Sequence, residues 1–362
     1  MFPQASRRAD SSLSSKPGSR FLLVADIGGT SARFALYRQG AHGDELFLRQ
    51  DYSSFEFSSI TPLLRDMVAM AADLDPSILI ESVCIAAAGP VQDGVIQGVN
   101  LPWTITEYEV RAATGAKFIS LLNDFEAAAW GLLRIDPKDV VAIGGPVPDF
   151  GFQKRDDGTG EPVALLGAGT GLGEALLVPC PGTDRWKVLR TEGGHATFAP
   201  RNQQELELAC YLMDLYGHPS QERAVSGQGI VNIFRFLSGK STQVPGNDFL
   251  MDSPAPREVA ALARKGDPIC CNTMDLFFQL FASEAGNLAL KSLPKSGVFL
   301  AGGIINKNLD LVEPEAMRYA FEDKGRMKGL LQTIPLSVVV REDLGLLGAL
   351  VVASGQSAHA LS

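Results

Sequence analysis

The sequence predicts an α/β protein of two lobes with a cleft between them, on three observations. Phe118 to Leu122 is a short apolar run, long enough for a buried strand and too short for a helix. It gives way at Asn123–Asp124 to the Ala-, Glu- and Leu-rich stretch Phe125 to Leu133, which favours helix. A strand, glycine-rich turn and second strand occur twice, around Thr30 and around Thr170. A third apolar run closes in Gly302-Gly303. An acid at the carboxyl end of a buried strand stands where α/β proteins bind ligands. The same Asn-Asp pair can also serve simply as a helix cap.

In order along the chain, Met1 to Arg20 carries Ser, Arg and Pro with a single acid and no hydrophobic period, so residues 1–20 are expected to be a disordered tail. The bias overlaps that of organellar transit peptides, and that reading stays open. Order is expected from Phe21. Leu22 to Ala25 is apolar, and Ala32, Phe34 and Leu36 alternate with more polar neighbours, giving two strands around the turn Asp26-Ile-Gly-Gly-Thr30. Glycines let a backbone approach a phosphate closely and Thr30 adds a hydroxyl donor, although Gly-Gly is also an ordinary hairpin signal.

Thr61 to Leu74 has the pattern of an amphipathic helix, and Ser82 to Ala88 that of a buried strand ending at Gly89-Pro90. Asn100 to Trp103 is expected to be a loop, with Trp103 either lining a pocket or packing. Val163 to Leu166, a turn over Gly167 to Gly173, and Ala175 to Val178 repeat the first glycine unit. A dinucleotide-binding fold places its glycines between a strand and a helix; here strand-like residues continue beyond both turns. Two such turns, one per lobe, can face each other and grip one polyphosphate.

Glu192 and His195 flank two glycines, so one tight loop can bring both side chains together, although a lone His is more often structural. A helix is expected over Glu205–Tyr216, with His218 on the surface beyond it. Glu222, by itself read as a solvated acid, precedes Ser226-Gly-Gln-Gly229, expected to be a turn leading into Ile230–Leu237. A polar loop over 240–256 precedes helices at Arg257–Ala263 and Cys270–Leu290. Gly302-Gly303 suits close passage of a flat adenine and ribose, or a tight strand-to-helix packing turn. A late strand over Ser337 to Val340 and a small-residue helix over Gly345 to Ala353 follow.

Composition bounds the function. The chain has 362 residues, 46% hydrophobic and 20% charged, and no apolar run approaches the ~18 residues a bilayer span needs. A net charge of −9 argues against a general nucleic-acid binder but not against nucleotides, whose phosphates backbone N–H groups can hold. Five scattered cysteines show neither a zinc spacing nor a disulfide framework, which fits a reducing, cytoplasmic compartment.

DIGGTSARFAL, LLNDFEAAA, GAGTGLG, EGGHATFAP, ERAVSGQGIVN, GVFLAGGI and AFEDKGR occur in this order, and together they resemble the bacterial-type glucokinase family of the hexokinase–actin–acetate kinase superfamily. The resemblance runs from about Phe21 to the last helix. The first and third motifs recur across the superfamily; EGGHxxFAP followed by ERxxSGxG is far more specific. The Cys-rich zinc motif of the ROK sugar kinases is missing.

The resemblance implies a two-lobed actin-like ATPase (ribonuclease H-like) fold, with a mixed sheet and flanking helices in each lobe. The expected small lobe is 21–134 with 342–362, and the large lobe is 135–341. It implies an ATP-dependent glucokinase in which Asp124 takes the proton from the glucose 6-hydroxyl. Asn123, Glu192, His195 and Glu222 would hydrogen-bond the ring hydroxyls. Asp26 would place Mg²⁺, through water. Gly28, Gly29, Thr30, Gly169, Thr170 and Gly171 would cradle the phosphates, and Gly302 and Gly303 would border the adenosine. A homodimer is implied, with no nucleic-acid or membrane partner. Neither phosphate turn carries a P-loop lysine, so neutralisation falls to Mg²⁺ and backbone dipoles. A kinase for mannose or fructose, another phosphoryl donor, or a non-catalytic sugar sensor are the alternatives.

Overall fold

Two six-stranded mixed sheets built on one plan organise the chain. The computed structural model describes residues 8–9, 20–40, 43–98, 103–154, 160–183, 185–239 and 253–355. Most of the expected tail, the loop at 99–102 and the polar loop at 240–252 lie outside the described residues.

Strands β1 (Arg8–Ala9), β2 (Arg20–Ile27), β3 (Ser31–Gly40) and β4 (Gly43–Ser53) lead to α1 (Thr61–Leu74) and β5 (Ile80–Ala87). Three short strands, β6 (Val91–Gln92), β7 (Val95–Gln97) and β8 (Thr104–Thr106), form a small sheet of their own. After them come α2 (Glu107–Thr114), β9 (Phe118–Asn123) and α3 (Asp124–Gly131). Then β10 (Val140–Ala142), β11 (Val163–Ala168), β12 (Leu172–Pro179) and β13 (Trp186–Thr191) precede α4 (Gln203–Tyr216), α5 (Gln221–Ala224) and α6 (Gly227–Leu237). Helices α7 (Pro256–Ala263) and α8 (Pro268–Ser292) follow. The last described elements are β14 (Val298–Ala301), α9 (Gly303–Lys307), α10 (Pro314–Glu322), α11 (Lys328–Leu331), β15 (Leu336–Val339) and α12 (Leu344–Ala353).

The first sheet runs β1-β4-β3-β2-β5-β9 and the second β10-β15-β14-β11-β12-β13. In each, a hairpin (β2–β3, β11–β12) carries a third antiparallel strand outside it and two parallel strands on its other side. The repeated glycine turns therefore mark two copies of one topological unit. Parallel strands need long crossovers, which puts helices over the sheets.

The middle of each central strand is apolar on both faces because both are covered. In β2, Phe21, Leu23 and Ala25 point into a core shared with Leu63, Leu64 and Met67 of α1. Leu22 and Val24 point the other way, into a core shared with Trp130 of α3 and Leu350 of α12. In β11, Ala164 and Leu166 face Phe277 and Phe281 of α8, while Val163 and Leu165 join the core of Trp130 and Leu350. That period of two splits one apolar run between two layers. Helices α3 and α12 thus share one continuous core with residues of both sheets.

Several expectations change. Arg8–Ala9 pairs antiparallel with Arg49 and Leu48, and Arg20 opens β2, so the expected tail contributes strand residues where backbone pairing is on offer at a sheet edge. Gly167 and Gly173 are not turn residues. They pair across β11 and β12, and the turn shrinks to Gly169-Thr170-Gly171. Ser226-Gly-Gln-Gly229 is not a separate turn but the start of α6, because Ser226 Oγ accepts the Gly229 N–H at 3.0 Å as an N-cap. Trp103 packs: it is 2% exposed and its indole N–H donates to the Phe57 carbonyl at 2.9 Å. The small β6–β8 sheet had no sequence signal.

Candidate functional site

Asp26 and Asp124 come to the same end of the first sheet by register. Asp26 pairs with Ala86 in β5, and Ala87, one residue on, pairs with Asn123 at the end of β9. Two strand spacings separate them, about 10 Å between backbones. Asn123 is the N-cap of α3: its Oδ1 accepts from Phe125 N at 2.9 Å and Glu126 N at 3.3 Å. Its Nδ2 donates to Gly89 O at 3.1 Å. The helix-cap reading of Asn123 is therefore correct, and capping leaves Asp124 as the first helical residue, half-buried, with Oδ1 accepting from Phe125 N at 2.9 Å.

Burial pushes the Asp124 carboxyl above its ordinary value, against the lowering effect of the Phe125 N–H and Asn123. Asp26 is pushed up to about 6 by burial, opposed by Arg33 and reinforced by Asp124 and Asp343. Arg33 Nη1 lies 3.8 Å from Asp26 and donates to Glu342 O at 2.7 Å. Asp343 is held by Arg341 through two 2.8 Å bonds; burial raises its carboxyl, but Arg341 carries it below the usual range. Asp343 was missed in the sequence. Its signal is an acid just before the small-residue helix α12, the counterpart of Asp124 at the start of α3.

The first glycine turn is braced by its own backbone. Gly28 N donates to Ser31 O at 2.9 Å, Ser54 Oγ to Gly28 O at 2.9 Å and Ser54 N to Thr30 O at 3.2 Å. Gly29 lies between them and Thr30 is exposed. The second turn is closed by Gly169 N to Gly171 O at 2.8 Å and tied to the start of α6 by Gly227 N to Gly169 O at 2.8 Å. Thr170 is exposed at its tip. The amino end of an eleven-residue helix thus abuts this turn, where N–H groups and the helix dipole favour an anion. That role of the Ser226–Gly229 segment had not been recognised in the sequence.

Gly302, with φ +108°, is fitted against the Ala168 backbone, and a Cβ there would collide with the Ala168 carbonyl. The structure therefore brings the Gly302-Gly303 turn to the second glycine turn, with Gly303 exposed beside it. Gly167 and Gly173 have a different task. A Cβ on either would come within 2.5 and 2.6 Å of the Phe125 ring, so these glycines make a flat seat for the residue after Asp124.

Glu222 is not a solvated acid. Its Oε2 accepts Leu172 N at 3.0 Å and lies against Gly171, so it touches the β11–β12 hairpin directly. Glu192 and His195 do meet, at 3.9 Å, but both stay open to solvent, with side-chain exposures of 91% and 66%. Among the described residues neither hydrogen-bonds to Asn123, Asp124 or Glu222. Their loop is held from behind: His218 Nε2 contacts His195 O at 3.2 Å, and a Cβ on Gly194 would strike the Leu172 carbonyl.

A family model described as Glucokinase matches residues 23–356. The chain belongs to the glucokinase family. A glucokinase of Trichormus variabilis is 34% identical over 352 residues, covering 92% of this chain and 98% of that one. A glucokinase of Pectobacterium atrosepticum is 34% identical over 334 residues, covering 91% and 96%. The crystal structure of a glucokinase from an Antarctic psychrotroph superposes with a TM-score of 0.77 at 27% identity, covering 92% and 99%. The two-lobed α/β fold of this glucokinase-family chain is therefore the actin-like ATPase type expected from its motifs.

Proposed function

We propose that this chain transfers the γ-phosphoryl group of ATP to the 6-hydroxyl of glucose, giving glucose 6-phosphate and ADP. The observation that carries the reading is Asp124: a half-buried carboxylate with raised proton affinity at the end of β9, beside Asp26 and following a cap that fixes its backbone. In the proposed reaction Asp124 accepts the O6 proton as the O6–P bond forms and the bond from the γ-phosphorus to the ADP oxygen breaks. A carboxyl whose proton affinity is raised by burial is a better base there than an ordinary one. Asn123, Glu192, His195 and Glu222 bind the ring hydroxyls, for which carboxylates are efficient acceptors.

Gly28, Gly29, Thr30, Gly169, Thr170 and Gly171 hold the phosphates from two sides, and Gly302 and Gly303 border the adenosine. The donor chemistry around Asp26 fits Mg²⁺, since a half-buried carboxylate with two acidic neighbours favours a hard cation. No cluster of three or more ligand-type side chains is formed among the described residues, so phosphate and water would supply most of the coordination. When bound, the ion neutralises charge on the transferring phosphate. We assign 21–134 with 342–362 to the small lobe and 135–341 to the large one, with Phe125 seated where they meet.

The direct experiment is a coupled assay for glucose 6-phosphate across sugars and phosphoryl donors. ATP with glucose is expected to give the highest kcat/KM, and turnover of mannose or fructose in preference would reassign the substrate. Glu192→Ala is expected to raise the glucose Kd about ten- to a hundred-fold by removing an acceptor from the sugar. Calorimetry showing an unaltered Kd removes Glu192 from the site. We also infer a cytoplasmic homodimer, which the family resemblance supports. Light scattering should then give twice the 38.7 kDa chain mass, and the mass of one chain would refute the dimer.

A further inference from the structure

AFEDKGR has no part in the reaction above, and its lysine leads to a buried carboxyl pair. Lys324, after α10, donates to Ser283 Oγ at 3.1 Å and lies against Gly286, both on α8. Next to Ser283 is Glu284, 1% exposed, which faces Glu174 of β12, 4% exposed. The two carboxyl groups lie close enough to act on each other's proton affinity, Glu284 raising that of Glu174. As two carboxylates they would offer no donor, and Oε1 of each would stay buried without a partner. Their contact requires one shared proton. Asn287 Nδ2 donates to Glu284 Oε2 at 2.8 Å, which marks Glu284 as the ionised member and Glu174 as the acid.

Glu174 is also the floor beneath the Glu192–His195 loop. A Cβ on Gly193 would run into its Oε2, so the first glycine of EGGH exists to let the loop sit on this carboxyl. Thr191 Oγ1 donates to Glu174 O at 3.2 Å and accepts from Gly193 N at 3.2 Å, tying loop and strand together.

We propose that Glu174 is a positioning residue, and that the proton it shares with Glu284 keeps the Thr191–His195 loop seated so that Glu192 and His195 are presented to the sugar. This rests on the proposed sugar role of those two residues. With the proton in place the pair carries one negative charge, faced by Lys291, 3.8 Å from Glu284, and by Lys324. Arg201, Glu205 and Asp323 face Lys324 from its other side. Without the proton, two carboxylates press on each other under Gly193 and the loop lifts. Burial and the Glu284 charge push the Glu174 carboxyl up to about 7, so the change falls near neutral pH. The sign follows from a raised carboxyl: the seated loop is favoured at low pH, and that preference is lost as pH rises through about 7.

The test is hydrogen exchange of the 191–195 backbone in the full-length protein without sugar, corrected for intrinsic exchange, from roughly pH 6 to 8.5. Wild-type loop protection is expected to fall about tenfold or more over that range. In Glu174→Gln, whose amide keeps a donor and cannot ionise, it is expected to stay level. Glu284→Gln, which sets a donor opposite Glu174, serves the same purpose should the first variant not fold. Unchanging protection in the wild type, or the same loss in the amide variants, overturns the proposal. Glucose KM of Glu192→Ala separates the two readings. A loop that follows the proton while KM ignores Glu192 upholds the carboxyl pair and removes the sugar role. A KM that depends on Glu192 over a loop indifferent to pH does the reverse.

Discussion

Asp124→Asn is expected to lower kcat by about 10²–10⁴-fold while changing glucose affinity far less. The amide has the same shape, can still accept the Phe125 N–H at α3's first turn, and can still face a sugar hydroxyl. What it cannot do is take the O6 proton as the bond to phosphorus forms. Wild-type kcat at saturating MgATP and glucose should fall as pH drops, because the base must be ionised. The fall should begin above the ordinary aspartate range near ~4, since burial raises the Asp124 carboxyl. Asp26, pushed up to about 6, also takes up a proton as the pH drops, but its loss should appear in the KM for MgATP. The variant should show a low kcat without the acid limb. Wild-type turnover in Asp124→Asn would show that another group accepts the proton.

Gly348→Ala is expected to destabilise the protein by about 1–3 kcal/mol or more, although it adds one methyl group. Helices α3 and α12 cross with their backbones in contact. A Cβ on Gly348 would overlap the Ala127 carbonyl, and one on Gly131 would overlap the Leu344 carbonyl. Carbonyl oxygens cannot swing aside as a side chain can, so the helices must part. Parting them moves α3, which starts at Asp124, and α12, whose Gly345 lies 3.0 Å by its would-be Cβ from Asp26. Both carboxylates should then be displaced together. Thermal denaturation should show the melting temperature several degrees lower, and kcat should fall with it. A melting curve and kcat that match the wild type would mean the helices do not touch at this point.

Much of this protein was legible without coordinates, for local reasons. Asp124 lies at a strand-to-helix junction because an apolar run too short for a helix meets a capping Asn and an Ala-rich stretch, all within sixteen residues. The helix Thr61–Leu74 was placed to the residue because Pro62 starts it and Leu63, Leu64, Met67 and Ala71 share one face. The two hairpins announced a duplicated topology because each repeats a local pattern of strand, glycines and strand.

What tertiary structure alone decided involves residues far apart in the chain. Local pattern could not separate the glycines of GAGTGLG by task. Gly169 and Gly171 close the turn, whereas Gly167 and Gly173 accommodate Phe125, some forty residues earlier. Glu222 looked like a solvated acid because its partner, the Leu172 N–H, is 50 residues away. Asp343 joins Asp26 only because α12 returns from the end of the chain to cover the first sheet. The sequence by itself determined the elements, the duplicated plan and the identity of the acids, since propensity, capping and hydrophobic period act over a few residues. Folding alone decided which acids are buried, which share a proton and which glycines must stay bare, because proton affinity and steric room depend on what long-range packing places alongside.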